Sequence, residues 1–404
     1  MITITDKTNC CGCQACANIC PKDCISMESD DEGFLYPHVD KTTCVNCGLC
    51  EKVCPILHKP QTSPVLATYA AKHTDPEVKL KSSSGGVFSA LAEVILKEGG
   101  VVFGAAFDKD WNVAHTYAEN LQDLDKLRRS KYVQSNIGKT YQQAKIFLDQ
   151  GRQVLFTGTP CQIAGLRNYL GKAYENLLTA ELFCHGVPSP AVWKKFLREN
   201  FDVSRIQAIN FRTKKIGWNR PYLSFLLLPH GTSHIYGMKR TLLEILINKL
   251  KIKTSILSNS FFKAFVRDLI SRPTCYVCPF RAARFADFCI GDLWGVWPEI
   301  ITPQDEALGM SVVLVNTPKA QDFLQRTTVG ANIITHGVDF NKVAQANFPL
   351  LTSPKPHPKR AEFFARYKQE NFNQLAKQLL NIKPLWITIF MSFGKKIAHK
   401  LGIF

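Results

Sequence analysis

No apolar run in this 404-residue sequence reaches the roughly 18 residues that a membrane-crossing helix needs. Low-complexity tracts are missing too. No G-x-G-x-x-G follows a strand-like run, which argues against a nicotinamide-binding unit of that type. The opening residues, Met1-Ile2-Thr3-Ile4-Thr5-Asp6, offer neither a basic n-region nor an apolar h-region. The expectation is therefore reduced thiols and a cytoplasmic location. Acidic side chains are the scarcer charge: 33 Asp and Glu stand against 50 Lys and Arg, a formal net charge of +17. Hydrophobic residues at 46% and charged residues at 21% are ordinary for a core-forming protein, and the length implies two or three folded units.

What is abundant is cysteine, 15 in all, with ten before residue 55. Cys10, Cys13, Cys16 and Cys20 form C-x2-C-x2-C-x3-C, followed by Pro21. Cys44, Cys47, Cys50 and Cys54 repeat that spacing 34 residues later, followed by Pro55. A thiolate every third residue can wrap three corners of an iron–sulfur cube. The fourth cysteine lies too far round the turn and reaches the other cube. The pattern predicts a bacterial-type ferredoxin module over residues 1–58 that holds two [4Fe–4S] clusters. One would use Cys10, Cys13, Cys16 and Cys54, the other Cys44, Cys47, Cys50 and Cys20. Paired zinc sites are the alternative, but structural zinc takes two C-x2-4-C pairs with a long gap between them. Cys11 and Cys24 fall outside the pattern and read as buried thiols near the clusters.

Residues 59–64, Lys-Pro-Gln-Thr-Ser-Pro, read as a linker. From Val65 onward, strand-like and helical patterns alternate. Strands are expected over residues 65–71, 101–107, 153–157 and 177–183, with a further one after a turn at 108–112. An apolar helix is expected over 86–97, and mainly helix beyond about 330. The fold class is therefore α+β: a ferredoxin module, a mixed-sheet α/β domain and a helical C-terminal tail. Five cysteines remain. Cys161 and Cys184 each follow a strand, so they would share the sheet edge where α/β proteins bind ligands. Cys275 and Cys278 form C-x2-C before Pro279. Singly, a buried cysteine of this kind is more often packing than ligand. Together they suggest a third cluster.

Ser82-Ser83-Ser84-Gly85-Gly86-Val87-Phe88, Ser130-Lys131-Tyr132-Val133-Gln134-Ser135, Gly158-Thr159-Pro160-Cys161-Gln162, Cys184-His185-Gly186-Val187-Pro188, Arg272-Pro273 through Pro279, and Gly291-Asp292-Leu293-Trp294-Gly295 occur in that order. This series resembles the coenzyme F420 hydrogenase/dehydrogenase beta-subunit family over residues 65–330. The resemblance implies an FAD-binding domain there and a third [4Fe–4S] cluster on Cys161, Cys184, Cys275 and Cys278, with Cys289 left for packing. It also implies an oxidoreductase whose partner is ferredoxin or coenzyme F420. With each oxidised cluster near −2 and a dianionic flavin, three clusters would bring the net charge to roughly +9. The basic excess therefore does not call for nucleic acid.

Within that resemblance, Ser82, Ser83, Ser84, Gly85 and Gly86 at a helix start are candidates for the flavin pyrophosphate. An ordinary serine cap is the alternative. Lys131 is a candidate cation near phosphate or flavin, against a solvated lysine. Trp294 would cover the cofactor or fill the core. His185 and Lys131 are the catalytic candidates, His185 as a proton donor beside a ligand cysteine or as a structural residue. Residues 331–404 form the C-terminal extension. In residues 385–404, Phe393, Ile397, Leu401 and Phe404 share one stripe and Lys395, Lys396, His399 and Lys400 another. Such a helix suits peripheral contact with the inner membrane surface or packing on protein. Three functional readings follow. The leading one is an iron–sulfur flavoprotein oxidoreductase. The second is an electron-transfer subunit docking on a catalytic partner. The third is a non-redox companion protein in surface-polysaccharide synthesis.

Overall fold

The computed structural model describes residues 1–214, 217–218, 222–227, 252–255, 260–295, 297, 299–330 and 332–382. The amphipathic segment 385–404 lies outside the described residues. Among them, no helix is long and apolar enough to cross a membrane.

The N-terminal module is built on a hairpin, β1 (Ile25–Ser29) against β2 (Leu35–Val39), with one cysteine loop before it and the other after it. The large sheet uses β3 (Ala67–His73), β4 (Val101–Phe107), β5 (Val113–Ala118), β6 (Val154–Gly158) and β7 (Leu177–Leu182). A second small antiparallel sheet follows, β8 (Ile206–Thr213), β9 (Tyr222–Leu227) and β10 (Ile252–Ser255). Then β11 (Phe288–Asp292), β12 (Ser311–Val315) and β13 (Ile333–Gly337) return to the large sheet. Its order is β13-β3-β12-β11-β7-β6-β4-β5. The centre is parallel: β4 with β6, β6 with β7, β7 with β11. Both margins are antiparallel. Val154-Leu155-Phe156 in β6 is buried without alternation, as expected of a strand covered on both faces.

The strands and the helix expected by residue number lie within two residues of the observed ones, whereas β8 to β12 had no stated expectation and β13 departs from one. The stretch beyond residue 330 reads as mainly helical, yet Ile333–Gly337 pairs with β3 as the sheet's edge strand. Ile333 and Ile334 are β-branched and favour that state, but five residues leave too little periodicity to mark it.

The segment 59–64 is anchored at Gln61, whose carbonyl accepts from Arg167 Nη1 (3.4 Å), and next to both of its ends. The His58 carbonyl accepts from Asn168 Nδ2 (2.6 Å), and Ser63 N–H donates to the Arg284 carbonyl (2.9 Å). The ferredoxin hairpin is clasped as well. Arg360 forms a two-pronged ion pair with Glu32 (2.8 and 2.5 Å), and Tyr367 donates to the Asp31 carbonyl (2.8 Å). The module is therefore part of the body of the protein.

One core cluster surrounds Trp193, fully buried on helix Pro190–Asn200 against Phe107, Phe196, Phe211 and Phe261. Its indole N–H donates to the Trp111 carbonyl (2.9 Å). Trp193→Ala is expected to cost about 3–5 kcal/mol and to strand that carbonyl. The midpoint of anaerobic denaturant unfolding measures it. A change below about 1 kcal/mol would mean that the site refills.

Candidate functional site: three thiol-lined cavities

The two cysteine loops share a backbone device. In the first, Gly12 (φ 70°) and Gln14 (φ 63°) are left-handed; in the second, Asn46 (φ 50°) and Gly48 (φ 72°) are. These are the same two positions of the 34-residue repeat, with glycine and a polar residue exchanged. Alternating right- and left-handed residues turn successive N–H groups to one side, a concavity that suits anionic groups, iron–sulfur centres among them. Asn46 N–H and Ile2 N–H lie 3.4 Å from the sulfurs of Cys44 and Cys50.

Each loop walls a cavity. An inner one of about 330 Å³ is lined by Cys10, Cys13, Cys16 and Cys54, with Cys11 beside them. An outer one of about 350 Å³ is lined by Cys20, Cys44, Cys47 and Cys50. Each fourth cysteine thus lies with the other motif's triplet. Cys24 also borders the outer cavity, its sulfur 3.3 Å from that of Cys20. Among the described residues no three His, Cys, Asp or Glu converge tightly enough to hold a single metal ion. Zinc draws thiolates to about 2.3 Å from one point. Here the thiols are spread around a volume, the arrangement a cube-shaped cluster needs.

The third cavity, about 600 Å³, is at the carboxyl ends of β6 and β7. Cys161 is on helix Pro160–Leu170, which begins at the Thr159 cap, and Cys184 follows β7. Cys275 and Cys278 arrive on the short 3-10 helix Pro273–Val277 and its cap. All four line this cavity, so residues more than a hundred positions apart are brought together. Cys11 of the first loop lines this cavity as well as the inner one.

Sequence reasoning missed the charged residues here. Arg272, Arg281 and Arg284 border the third cavity, with Glu181 and Cys289 at its rear. The only signal was three arginines within thirteen residues around a C-x2-C. Arg281 donates to the carbonyls of Cys184, Pro349 and His185, which fixes the Cys184 loop. Glu181 is fully buried; Oε2 accepts from Phe285 N–H (3.2 Å), while Oε1 has no hydrogen-bond partner among the described residues. Burial pushes its carboxyl up to about 7 in spite of Arg284. Between pH about 4.5 and about 7 the folded form keeps a proton that the unfolded form has lost, so stability falls as pH rises. Glu181→Gln is expected to melt higher than wild type at pH 8, with the gap closing toward pH 5. Parallel melting curves across that range would contradict it.

His185 does not line the cavity. Its Nε2 is 2.8 Å from Asp268 Oδ1, and its ring meets Phe265 and Phe348 edge-on. A neighbouring carboxylate and two rings hold it in one orientation.

The serine–glycine loop serves the fold. Ser82 Oγ donates to the Val78 carbonyl (2.8 Å), Ser84 Oγ donates to the Met310 carbonyl (2.9 Å), and Ser83 Oγ accepts from Ser130 N–H (2.8 Å). A Cβ on Gly85 would meet the Ala71 carbonyl at 2.5 Å and Ser311 N at 2.7 Å, so the glycine lets the loop cross β3 and β12 closely. Gly86 is the left-handed cap of helix Val87–Lys97.

A group of buried cations nonetheless gathers here. Lys214 donates from Nζ to the carbonyls of Lys79 and Ser84 (2.6 Å each) and to that of Leu308. Burial, then Arg212, push its ammonium down to about 7. Lys131, half-buried, donates to the carbonyls of Lys126 (2.9 Å) and Arg128 (2.7 Å) and is pushed down to about 7 by burial and Arg129. Arg212 pairs with Asp292 (2.5 Å) and lies over Trp294, which stacks on Trp218 at 4.6 Å. Arg212 and Lys214 alternate at the end of β8 and so share a face.

Comparison with known proteins fits this picture. In the family of the coenzyme F420 hydrogenase/dehydrogenase beta subunit, the model for the C terminus matches residues 151–340 and the model for the N-terminal part matches 68–141. The chain belongs to that family. A 4Fe-4S dicluster domain matches residues 9–56, the stretch holding both cysteine loops. Comparison with curated proteins returns no match. Among solved structures, a chain of the xenon-derivatized F420-reducing [NiFe] hydrogenase complex from Methanosarcina barkeri aligns over 78% of this chain and 92% of its own, at 17% identity and TM-score 0.45.

Proposed function

We propose that the protein is an iron–sulfur flavoprotein oxidoreductase of this family, with three [4Fe–4S] clusters and FAD, exchanging electrons with ferredoxin or a coenzyme F420-type partner. The observation that carries this reading is the run of three thiol-lined cavities, the inner and the third sharing Cys11 as wall. Clusters supply one-electron steps, and FAD would supply the exchange between one-electron and two-electron carriers. The twelve cysteines named from the sequence would hold the clusters. The family membership and the buried cations around Ser84, Lys131 and Trp294 support FAD beside them. Lys131, Arg212 and Lys214 would offset an anionic cofactor there, and Trp294 would cover it. His185, held by Asp268, is the candidate proton donor near the third cavity.

Docking on a catalytic partner protein is favoured by the outer cavity. Cys47 is exposed, and Val45 and Leu57 are 58% and 57% exposed on the same module. An electron partner approaching there would meet exposed Val45 at the cavity edge beside a thiolate ligand.

The test is anaerobic purification with iron, sulfide and flavin analysis, followed by reduction with a panel of donors. About 12 irons per chain and one flavin that ferredoxin or reduced coenzyme F420 bleaches are expected. Absence of flavin with the iron complete would refute the flavoprotein reading. Flavin reducible by dithionite and by no physiological donor would favour a protein that acts only with a partner.

A further inference from the structure

Arg272 lies in the partition between the inner and third cavities. It is fully buried, yet no carboxylate stands among the hydrogen-bond partners of its guanidinium in the described residues. Nε donates to the Cys10 carbonyl (2.7 Å), Nη1 to Gln134 Oε1 (3.1 Å) and Nη2 to the Leu35 carbonyl (3.0 Å). Nη2 is also 3.4 Å from the sulfur of Cys10, and the guanidinium lies 4.2 Å from the centre of the Tyr36 ring. The same side chain lines the third cavity beside Cys11 and Cys275. Gly12 makes this approach feasible, because a Cβ there would stand 2.9 Å from Nη1. A buried cation without a carboxylate is costly unless negative charge lies close by. Cys10, Cys11 and Cys275 are the thiols that act on it.

We propose that Arg272 is a redox-tuning residue: from the partition it raises the reduction potentials of the clusters held by the inner and third cavities above that of the outer one. The proposal rests on the cluster assignment given above. Adding an electron makes a cluster more negative, so a nearby fixed cation and a hydrogen bond to a ligand sulfur both favour reduction. Among the described residues the outer cavity has no equivalent. Lys22 beside it is solvent-exposed, and the amino group of Met1 is paired with Glu51 at 2.9 Å. Exposed charges are screened where buried ones are not. The resulting gradient runs inward from the exposed Cys47.

The test uses the full chain, loaded with its clusters, in a redox titration followed by electron paramagnetic resonance. In wild type the outer cluster is expected to have the lowest potential; finding it the highest would overturn the proposal without any variant. Arg272→Gln keeps donors but removes charge. It is expected to make reduction of the inner and third clusters about tenfold less favourable, about 59 mV for one electron, and to leave the outer cluster unchanged. Arg272→Lys keeps the charge and is expected to retain most of the potential. Equal shifts in both variants would make Arg272 a structural clasp, and unchanged potentials in Arg272→Gln with iron intact would overturn the proposal. A chain with only two clusters would refute the third-cluster assignment. The inner-against-outer comparison would still decide the role of Arg272.

Discussion

Cys54→Ala is expected to empty the inner cavity and spare the outer one, although Cys54 belongs to the second motif. The reciprocal variant, Cys20→Ala, should lose the outer cluster and keep the inner. The reason is geometric. In each loop the three closely spaced cysteines curl around one cavity, helped by the left-handed positions 12, 14, 46 and 48. The last cysteine of each motif follows a short helix, Ala15–Ile19 or Leu49–Lys52, which carries it across the module. It therefore lines the other loop's cavity. Each loss should amount to about four irons per chain, with one of two resonance signals gone. Cys24 complicates the outer site, since its sulfur is 3.3 Å from that of Cys20 and it borders the same cavity. Cys20→Ala should therefore be made with and without Cys24→Ala. If Cys54→Ala removed the outer signal and left the inner one, the crossed assignment would be wrong.

Cys161→Ser with Cys275→Ala should remove about four irons while both ferredoxin signals persist. These two cysteines reach the third cavity from separate segments, one on the helix after β6 and one before β11. A cube that loses two thiolates keeps only Cys184 and Cys278 of its four. Cys289 and Cys11 also line this cavity, so iron content is compared with and without them. Cys289→Ala is the control and should keep the full iron content. Retention of all the iron in the double variant would remove the third cluster from this protein. Electron passage from the ferredoxin module to any flavin would then need another route.

The sequence alone determined the parts whose cause is local. Thiolate spacing, repeated after 34 residues, dictated the ferredoxin loops and their crossing, because a cube constrains its ligands within a few residues. Strand and helix alternation dictated the mixed sheet, and β6 and β7 with it, because unbroken apolar runs need cover on both faces. Strand-end logic also put Cys161 and Cys184 on one sheet edge. Other features depended on contacts between distant segments. The edge strand Ile333–Gly337 exists because β3 offers it a partner. The serine–glycine loop reads in sequence as a helix cap or, by resemblance, a phosphate cradle; only the fold shows its hydroxyls and Gly85 set against Val78, Ser130, Met310, Ala71 and Ser311. The segment at 59–64 reads as a linker, and the fold adds that Arg167 and the Arg284 carbonyl hold its backbone at Gln61 and Ser63. Arg272 has only the weak local signal of a C-x2-C with arginines around it. The role proposed for it rests on its lying 262 residues from Cys10 in the chain and 3.4 Å from its sulfur in the fold. Spacing could say which residues bind clusters. Only tertiary structure buried a cation beside the Cys10 sulfur, the observation on which the proposed ranking of the clusters rests.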